Sequence, residues 1–424
     1  MAFFQASPAA VRRLYWYNLL ISFTLTIAAN FTFIDRLLLR LNIDLGIFGT
    51  MKSIMFLLPA VLYQVFSPLL HRLDRDVQVT AVCYSLRGLL PLLLPVLAVF
   101  CTDKGVLTAA SVVLLSGGML FATFANNSLM KLYRKVIPAE QFNYSVGVMN
   151  MLLSLPALIV ALPIAWLLDR FDHWDDPAFF LLFAGLQLLT FLFDIPAVLL
   201  LLKLKTAPSE IVPDRKQRSG LLPYRDRRFR LILLLIFLHR FGSGLGMAYL
   251  TVYFLKVMEL SMTTLIVIGI LMSVILYSMM PVSGKIMDKW GYGRIFPLLA
   301  GGMLTGLVLF CCCWKSVWVL PLFALLMWDS MASLCGGILF QGVYAAAGKL
   351  ADKNWLDAAV AAFSICSNGG VFAGLLAASG VYALTHAIGD GSLSMTLRLY
   401  YIGMIPVFAV IFYITLLFRL KKIM

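Results

Sequence analysis

The chain has 424 residues, of which 62% are hydrophobic and 13% charged, with a mean hydropathy of +0.93 and a formal net charge of +14. That balance excludes a water-soluble domain, because so apolar a surface cannot be solvated. The positive charge does not point to nucleic acid either, since the basic residues flank apolar runs instead of gathering into one binding stripe.

Apolar runs of about 20 residues, the length needed to cross a hydrocarbon core ~30 Å thick, follow one another along the chain. In the first half they fall at 14 to 34, 46 to 70, 77 to 100, 106 to 130, 145 to 167 and 178 to 202. In the second half they fall at 231 to 255, 261 to 283, 295 to 313, 317 to 345, 357 to 386 and 394 to 418. Continuously apolar stretches such as Leu231 to Leu238 lack the alternation a barrel strand requires. The expected fold is therefore an all-α membrane protein with about twelve transmembrane helices in two six-helix bundles, residues 1–202 and 231–424. Between them, 203–230 carries Pro208, Pro213, Gly220 and Pro223 among many basic residues and reads as a solvated cytoplasmic linker. The first run is too long, and too polar at Asn18, Ser22, Thr24 and Thr26, for a cleaved signal peptide. No clearly broken helix is visible.

Roughly 24 of the 34 Lys and Arg residues fall on the side of the termini and the linker, which the positive-inside rule makes cytoplasmic. This predicts a multi-pass protein of the plasma membrane, the inner membrane in a bacterium, with both termini inside. Lys52, Arg87 and Arg240 fall within apolar spans. The outer loops are short, and residues 168 to 177 read as an ordinary acidic loop with His173 exposed.

Between the eighth and ninth runs lies Gly284-Lys285-Ile286-Met287-Asp288-Lys289-Trp290-Gly291-Tyr292-Gly293-Arg294. A Gly that lets helices pack closely, an Asp that ends the span, a basic residue, and a Gly turn leading to further basic residues together resemble the cytoplasmic loop motif of the major facilitator superfamily. Gly284, Asp288, Lys289, Gly291 and Arg294 carry that resemblance. The equivalent loop after the second run keeps only Asp74 and Arg75 and lacks the glycines. Both copies follow the second span of their half, as parallel repeats would, and Ile137 to Gln141 echoes a further family loop. The resemblance covers essentially the whole chain. It implies a transporter working by alternating access, with Asp288 as an inner latch; a purely topogenic loop is the competing reading.

Ionisable groups at mid-depth come next, because a charge in hydrocarbon is costly unless it faces water or a partner. Arg240 lies about ten residues into the seventh run with His239 beside it, Asp329 about twelve into the tenth, and Arg87 about ten into the third. The family fold would place helices 1, 4, 7 and 10 around a central cavity, so Arg240 and Asp329 are expected to face each other there. A static buried ion pair is the alternative; helix 3 is usually more peripheral in the family fold, so Arg87, a further candidate for substrate or coupling, reads first as a structural residue of the first bundle. Polar residues at helical spacing outline a pocket. Asn18, Ser22 and Thr26 mark helix 1; Asn126 and Asn127 mark helix 4; Trp328, Asp329 and Ser333 mark helix 10; Ser364 and Asn368 mark helix 11. Gly242, Gly244 and Gly246 open helix 7 ahead of Tyr249 and Tyr253. Such residues also stitch membrane helices together. Lys52, Asp35 and Asp194 read as gate or interface residues.

The cysteines form no metal or redox set, and Cys311, Cys312 and Cys313 sit side by side in an apolar span. No phosphate loop, two-His metal helix or nucleophile elbow is present. The sequence thus predicts no enzyme, no cofactor, no metal and no nucleic-acid partner. It predicts a functional monomer, a secondary transporter of a small organic solute, sugar or organic anion favoured, driven by protons. Export of lipophilic compounds by proton antiport is the alternative.

Overall fold

The computed structural model of the protein describes residues 9–28, 30–71, 75–137, 142–204, 227–271, 292–313, 323–324, 327–328, 356–389 and 392–420. Every regular element among them is helical. In chain order these are α1 (Ala9–Ala28), α2 (Phe31–Arg40), α3 (Leu45–His71), α4 (Asp76–Phe100), α5 (Lys104–Val136), α6 (Phe142–Arg170), α7 (Asp176–Phe191) and α8 (Asp194–Leu202). They continue with α9 (Arg227–Met247), α10 (Leu250–Val252), α11 (Met262–Leu271), α12 (Tyr292–Cys313), α13 (Leu356–Ile388) and α14 (Leu393–Leu420). Seven helical stretches among the described residues are long and apolar enough to span a bilayer, and three shorter apolar helices lie in other expected spans. The all-α membrane architecture is as the run lengths require. Of the tenth run only 323–324 and 327–328 are described.

Three spans that read as continuous are interrupted, which corrects the expectation of unbroken helices. The first breaks between α1 and α2, where Asn30 caps α2 by accepting from Thr32 N at 3.0 Å. The sixth breaks between α7 and α8. Pro196 in the first turn of α8 has no N–H to offer the Leu192 carbonyl and its ring crowds that oxygen, so the chain tightens there. Phe193 N accordingly bonds Thr190 O, three residues back, at 3.3 Å. The seventh span breaks after Met247, and Tyr253–Val257 forms a π turn closed by Met258 N on Tyr253 O at 3.0 Å.

The chain forms two compact units. The first comprises Met1–Ile43, Val61–Ile211 and Ser261–Val274; the second comprises Asp44–Ala60, Val212–Leu260 and Ile275–Met424. In the first, α1 packs on α6, α7 and α8, and α4 on α5 and α7. In the second, α9 packs along α13 and α12 along α14. The α9–α13 contact needs glycine: a Cβ on Gly370 would fall 2.6 Å from Phe237 O, and one on Gly244 would fall 2.5 Å from Val371 O. Gly374, four residues after Gly370, is as crowded against Phe241. The small-x-x-x-small spacing lets these backbones approach where lipid supplies no hydrophobic drive.

Candidate functional site

In the first unit a polar layer crosses α1, α4, α5 and α8. Asn18 is fully buried; its Nδ2 donates to Leu14 O at 2.7 Å and its Oδ1 accepts from Tyr133 OH at 2.8 Å. Ser22 and Thr26 are buried too, but they donate to their own helix, to Leu19 O at 2.6 Å and Ser22 O at 3.2 Å. Their donors are consumed locally, so only their lone pairs remain for a neighbour. Tyr84 OH donates to Asn126 Oδ1 at 2.5 Å, its ring meets Tyr17 edge-on at 6.1 Å, and the half-buried Arg87 guanidinium lies 5.8 Å from its centroid. Arg87 therefore sits among tyrosines, and among the described residues it has no carboxylate within ion-pair distance. Ser85, on the same helix, donates to Asp194 Oδ2.

In the second unit His239 is 2% exposed, and neither ring nitrogen has a hydrogen-bond partner among the described residues. Arg240 follows it, its Cβ beside the Gly370 backbone. Trp328 is fully buried, edge-on to Phe408 at 5.9 Å and packed on Gly246, with its indole N–H unbonded among the described residues. Buried polar groups without partners are rare and call for an explanation. Asp329 and Ser333 lie outside the described residues, as do Gly284, Asp288, Lys289, Gly291 and Asp74. Arg294 belongs to the first turn of α12, and Arg75 precedes α4.

A second set of polar contacts fastens elements within each unit. The buried Lys52 donates to Ala248 O at 3.2 Å and covers the Phe48 ring at 4.6 Å. Tyr249 OH donates to Leu45 O at 3.1 Å, and Thr50 Oγ1 to Ser379 Oγ at 3.0 Å. The start of α3 is thus tied to the end of α9 and to α13 within the second unit. Within the first, Asp169 Oδ1 accepts from Met262 N at 3.0 Å, and its Oδ2 accepts from Thr263 N and Oγ1 at 2.7 Å each. One carboxylate on the last turn of α6 thereby caps α11. Arg36 pairs with Asp172, and Arg40 pairs with Asp176 at 2.7 Å while donating to Trp174 O at 2.6 Å. The run 168 to 177, read from composition as an ordinary acidic loop, ties down two other elements: Asp169 holds α11, and Asp172 and Asp176 hold α2.

Sequence reasoning missed Asp169, Tyr17, Tyr84, Tyr133 and Ser85. Asp169 did carry a signal: a carboxylate on the last turn of a helix opposes that helix's own dipole, which favours one facing another helix's N-terminus. The tyrosines carried none, since an aromatic residue in an apolar run reads as packing.

The chain is similar in fold to solved transporters. A mutant form of the nucleoside transporter NupG superposes with a TM-score of 0.67 at 12% identity, covering 96% of this chain and 98% of that one. The D-xylose–proton symporter gives 0.65 at 14% identity with 96% of each chain covered. A mutant fucose–proton symporter FucP of E. coli gives 0.59 at 15%, covering 96% and 98%. Among curated proteins none is similar enough in sequence to count as a match. The family model of the Major Facilitator Superfamily matches residues 9–375, and the chain belongs to that superfamily of membrane transporters, not to an enzyme family.

Proposed function

We propose that the protein is a secondary active transporter that moves a small organic solute, a sugar or an organic anion, by alternating access of two six-helix bundles, 1–202 and 231–424. The bundles are joined by the cytoplasmic linker 203–230, both termini are cytoplasmic, and a proton gradient supplies the energy. The observation that carries this reading is that two buried groups of the second unit, His239 and Trp328, have no hydrogen-bond partner among the described residues, with Arg240 next to His239 in the chain, within a superfamily fold. An imidazole and an indole N–H offer hydrogen bonds, the indole face a surface for a sugar ring, and Arg240 a fixed positive charge for an anionic group. Within the first unit Asn18, Asn126 and Tyr84 form a neutral polar group of their own. Support for the solute class comes from the folds it resembles, whose names specify a nucleoside, xylose with protons and fucose with protons.

The test is uptake by proteoliposomes holding purified protein under an imposed proton gradient, with neutral sugars, acidic sugars and carboxylates as solutes. Uptake of at least one class that collapses with the gradient and falls more than tenfold in Arg240→Ala is expected. Uptake that stays concentrative without the gradient removes proton coupling. Expulsion of lipophilic cations from loaded vesicles, indifferent to Arg240→Ala, replaces solute uptake by efflux.

A further inference from the structure

The sixth span hides a carboxylate at its break. Asp194 opens α8 and is 5% exposed, while its neighbours Leu192, Phe193 and Ile195 are exposed apolar side chains. It lies about nine residues, and so roughly 13 Å, from the far end of α8 at Lys203, well inside a ~30 Å hydrocarbon core. Only Oδ2 is engaged, by Ser85; Oδ1 is buried and has no hydrogen-bond partner among the described residues.

The elements packed on α8 bring no compensating cation to it. From α1 comes Tyr17, fully buried, whose hydroxyl has no hydrogen-bond partner among the described residues. Arg12 and Arg13 lie at the start of that helix, and Arg13 is spent on Lys203 O at 2.6 Å. From α4 come Cys83, Tyr84, Ser85 and Arg87, of which Arg87 faces the Tyr84 ring. On α7 the sole titratable group is Asp176, at its opposite end. Among the described residues no Lys or Arg lies within ion-pair distance of Asp194. A buried carboxylate with one hydroxyl donor and no cation is poorly served as an anion, and well served once it takes up a proton.

Ser85 makes the two states distinguishable. Its Oγ also lies 3.1 Å from Ala81 O, one turn back on α4. A hydroxyl has one proton, so Ser85 can donate to the carboxylate or to the carbonyl, not both at full strength. We propose that Asp194 is a proton-binding site of the transport cycle, with Ser85 as its positioning residue. The assignment rests on reading the chain as a proton-coupled transporter. A proton from water adds to the Asp194 carboxylate; the new O–H donates to Ser85 Oγ; the Ser85 proton swings from the carboxylate to Ala81 O. The site goes from one negative charge to none. Because Asp194 stands at a break in the span, that change of charge acts where α7 and α8 are joined only by Leu192 and Phe193, the point at which the two half-helices can pivot.

The experiment is pH-difference infrared spectroscopy of the full-length protein in lipid, which needs no solute. Acidification is expected to produce a protonated-carboxyl stretch that Asp194→Asn lacks. Ser85→Ala is expected to retain the band but at higher frequency, nearer a free carboxyl, since its hydrogen-bond partner is gone; this variant stands in if Asp194→Asn does not fold. A spectrum identical in wild type and Asp194→Asn overturns the site, and so does a Ser85→Ala band at the wild-type frequency. A response to Na⁺ in place of protons overturns the proton assignment. If the band is present while Asp194→Asn takes up solute with unchanged dependence on the gradient, the role in the cycle is overturned and the transporter reading stands. If no solute is moved by wild type, that reading fails while the band still reports the site.

Discussion

The polar groups that fasten α3 and α11 to their neighbours and a second set within the apolar spans are built on opposite plans. In the fastening set each group has a partner: Lys52 has a carbonyl and a ring, Thr50 has Ser379, and Asp169 has two amides and a hydroxyl. In the second set the Tyr17 hydroxyl, Asp194 Oδ1, both nitrogens of His239 and the Trp328 N–H have none among the described residues. A satisfied polar contact in an apolar surrounding holds elements together, and an unsatisfied one marks a place where something else binds. The first region should therefore respond to substitution in stability and the second in transport.

The largest stability effect is expected at Asp169. Asp169→Ala removes the acceptor of three hydrogen bonds and leaves the first amides of α11 bare, a loss of about 3 kcal/mol on the scale of charge-assisted bonds. Hydrogen exchange should quicken selectively in 261–271; protection there equal to wild type would show that α11 holds its start without α6.

Gly49→Val follows. A Cβ at Gly49 would fall 2.9 Å from Leu375 O, so α3 and α13 must part, at a cost of about 2 kcal/mol typical of overpacking. The melting temperature should drop accordingly, and an unchanged one would mean the two helices are free to separate. Lys52→Met removes the ammonium that donates to Ala248 O and lies over the Phe48 ring while keeping an apolar side chain of similar length, for about 1 kcal/mol. A thermal shift as large as that of Gly49→Val would place Lys52 at the centre of the contact and not at its margin.

How much of this was legible follows from what each feature depends on. Span lengths depend only on bilayer thickness, so the runs were readable, and the basic flanks with them. The break at Asp194 was readable in retrospect from Pro196, whose missing N–H acts on its own chain. The stripe of Asn18, Ser22 and Thr26 was also readable, but not its meaning: Tyr133, the partner that separates Asn18 from the other two, lies 115 residues away. The same holds for Thr50 and Ser379, 329 residues apart. The strongest family signal, around Asp288, and the expected pairing of Arg240 with Asp329 involve residues outside those described, so they remain proposals of the sequence.

The smallest stability effect and the sharpest division between the two regions are expected at His239. Its ring makes no hydrogen bond among the described residues, so His239→Leu, close in volume, breaks none and removes a polar group from an apolar site. Stability should stay within about 0.5 kcal/mol of wild type, as for substitutions that create neither a cavity nor an orphaned partner. If His239 contacts solute or proton, the same substitution leaves the site without a donor and acceptor at the moment of binding, and uptake should fall at least tenfold in the folded protein. The informative result is the pairing of the two readouts. A stable variant that transports normally would make His239 an unused polar residue of the α9 interior. A strongly destabilised one would mean that the imidazole is engaged in the membrane by a partner that belongs to the fold.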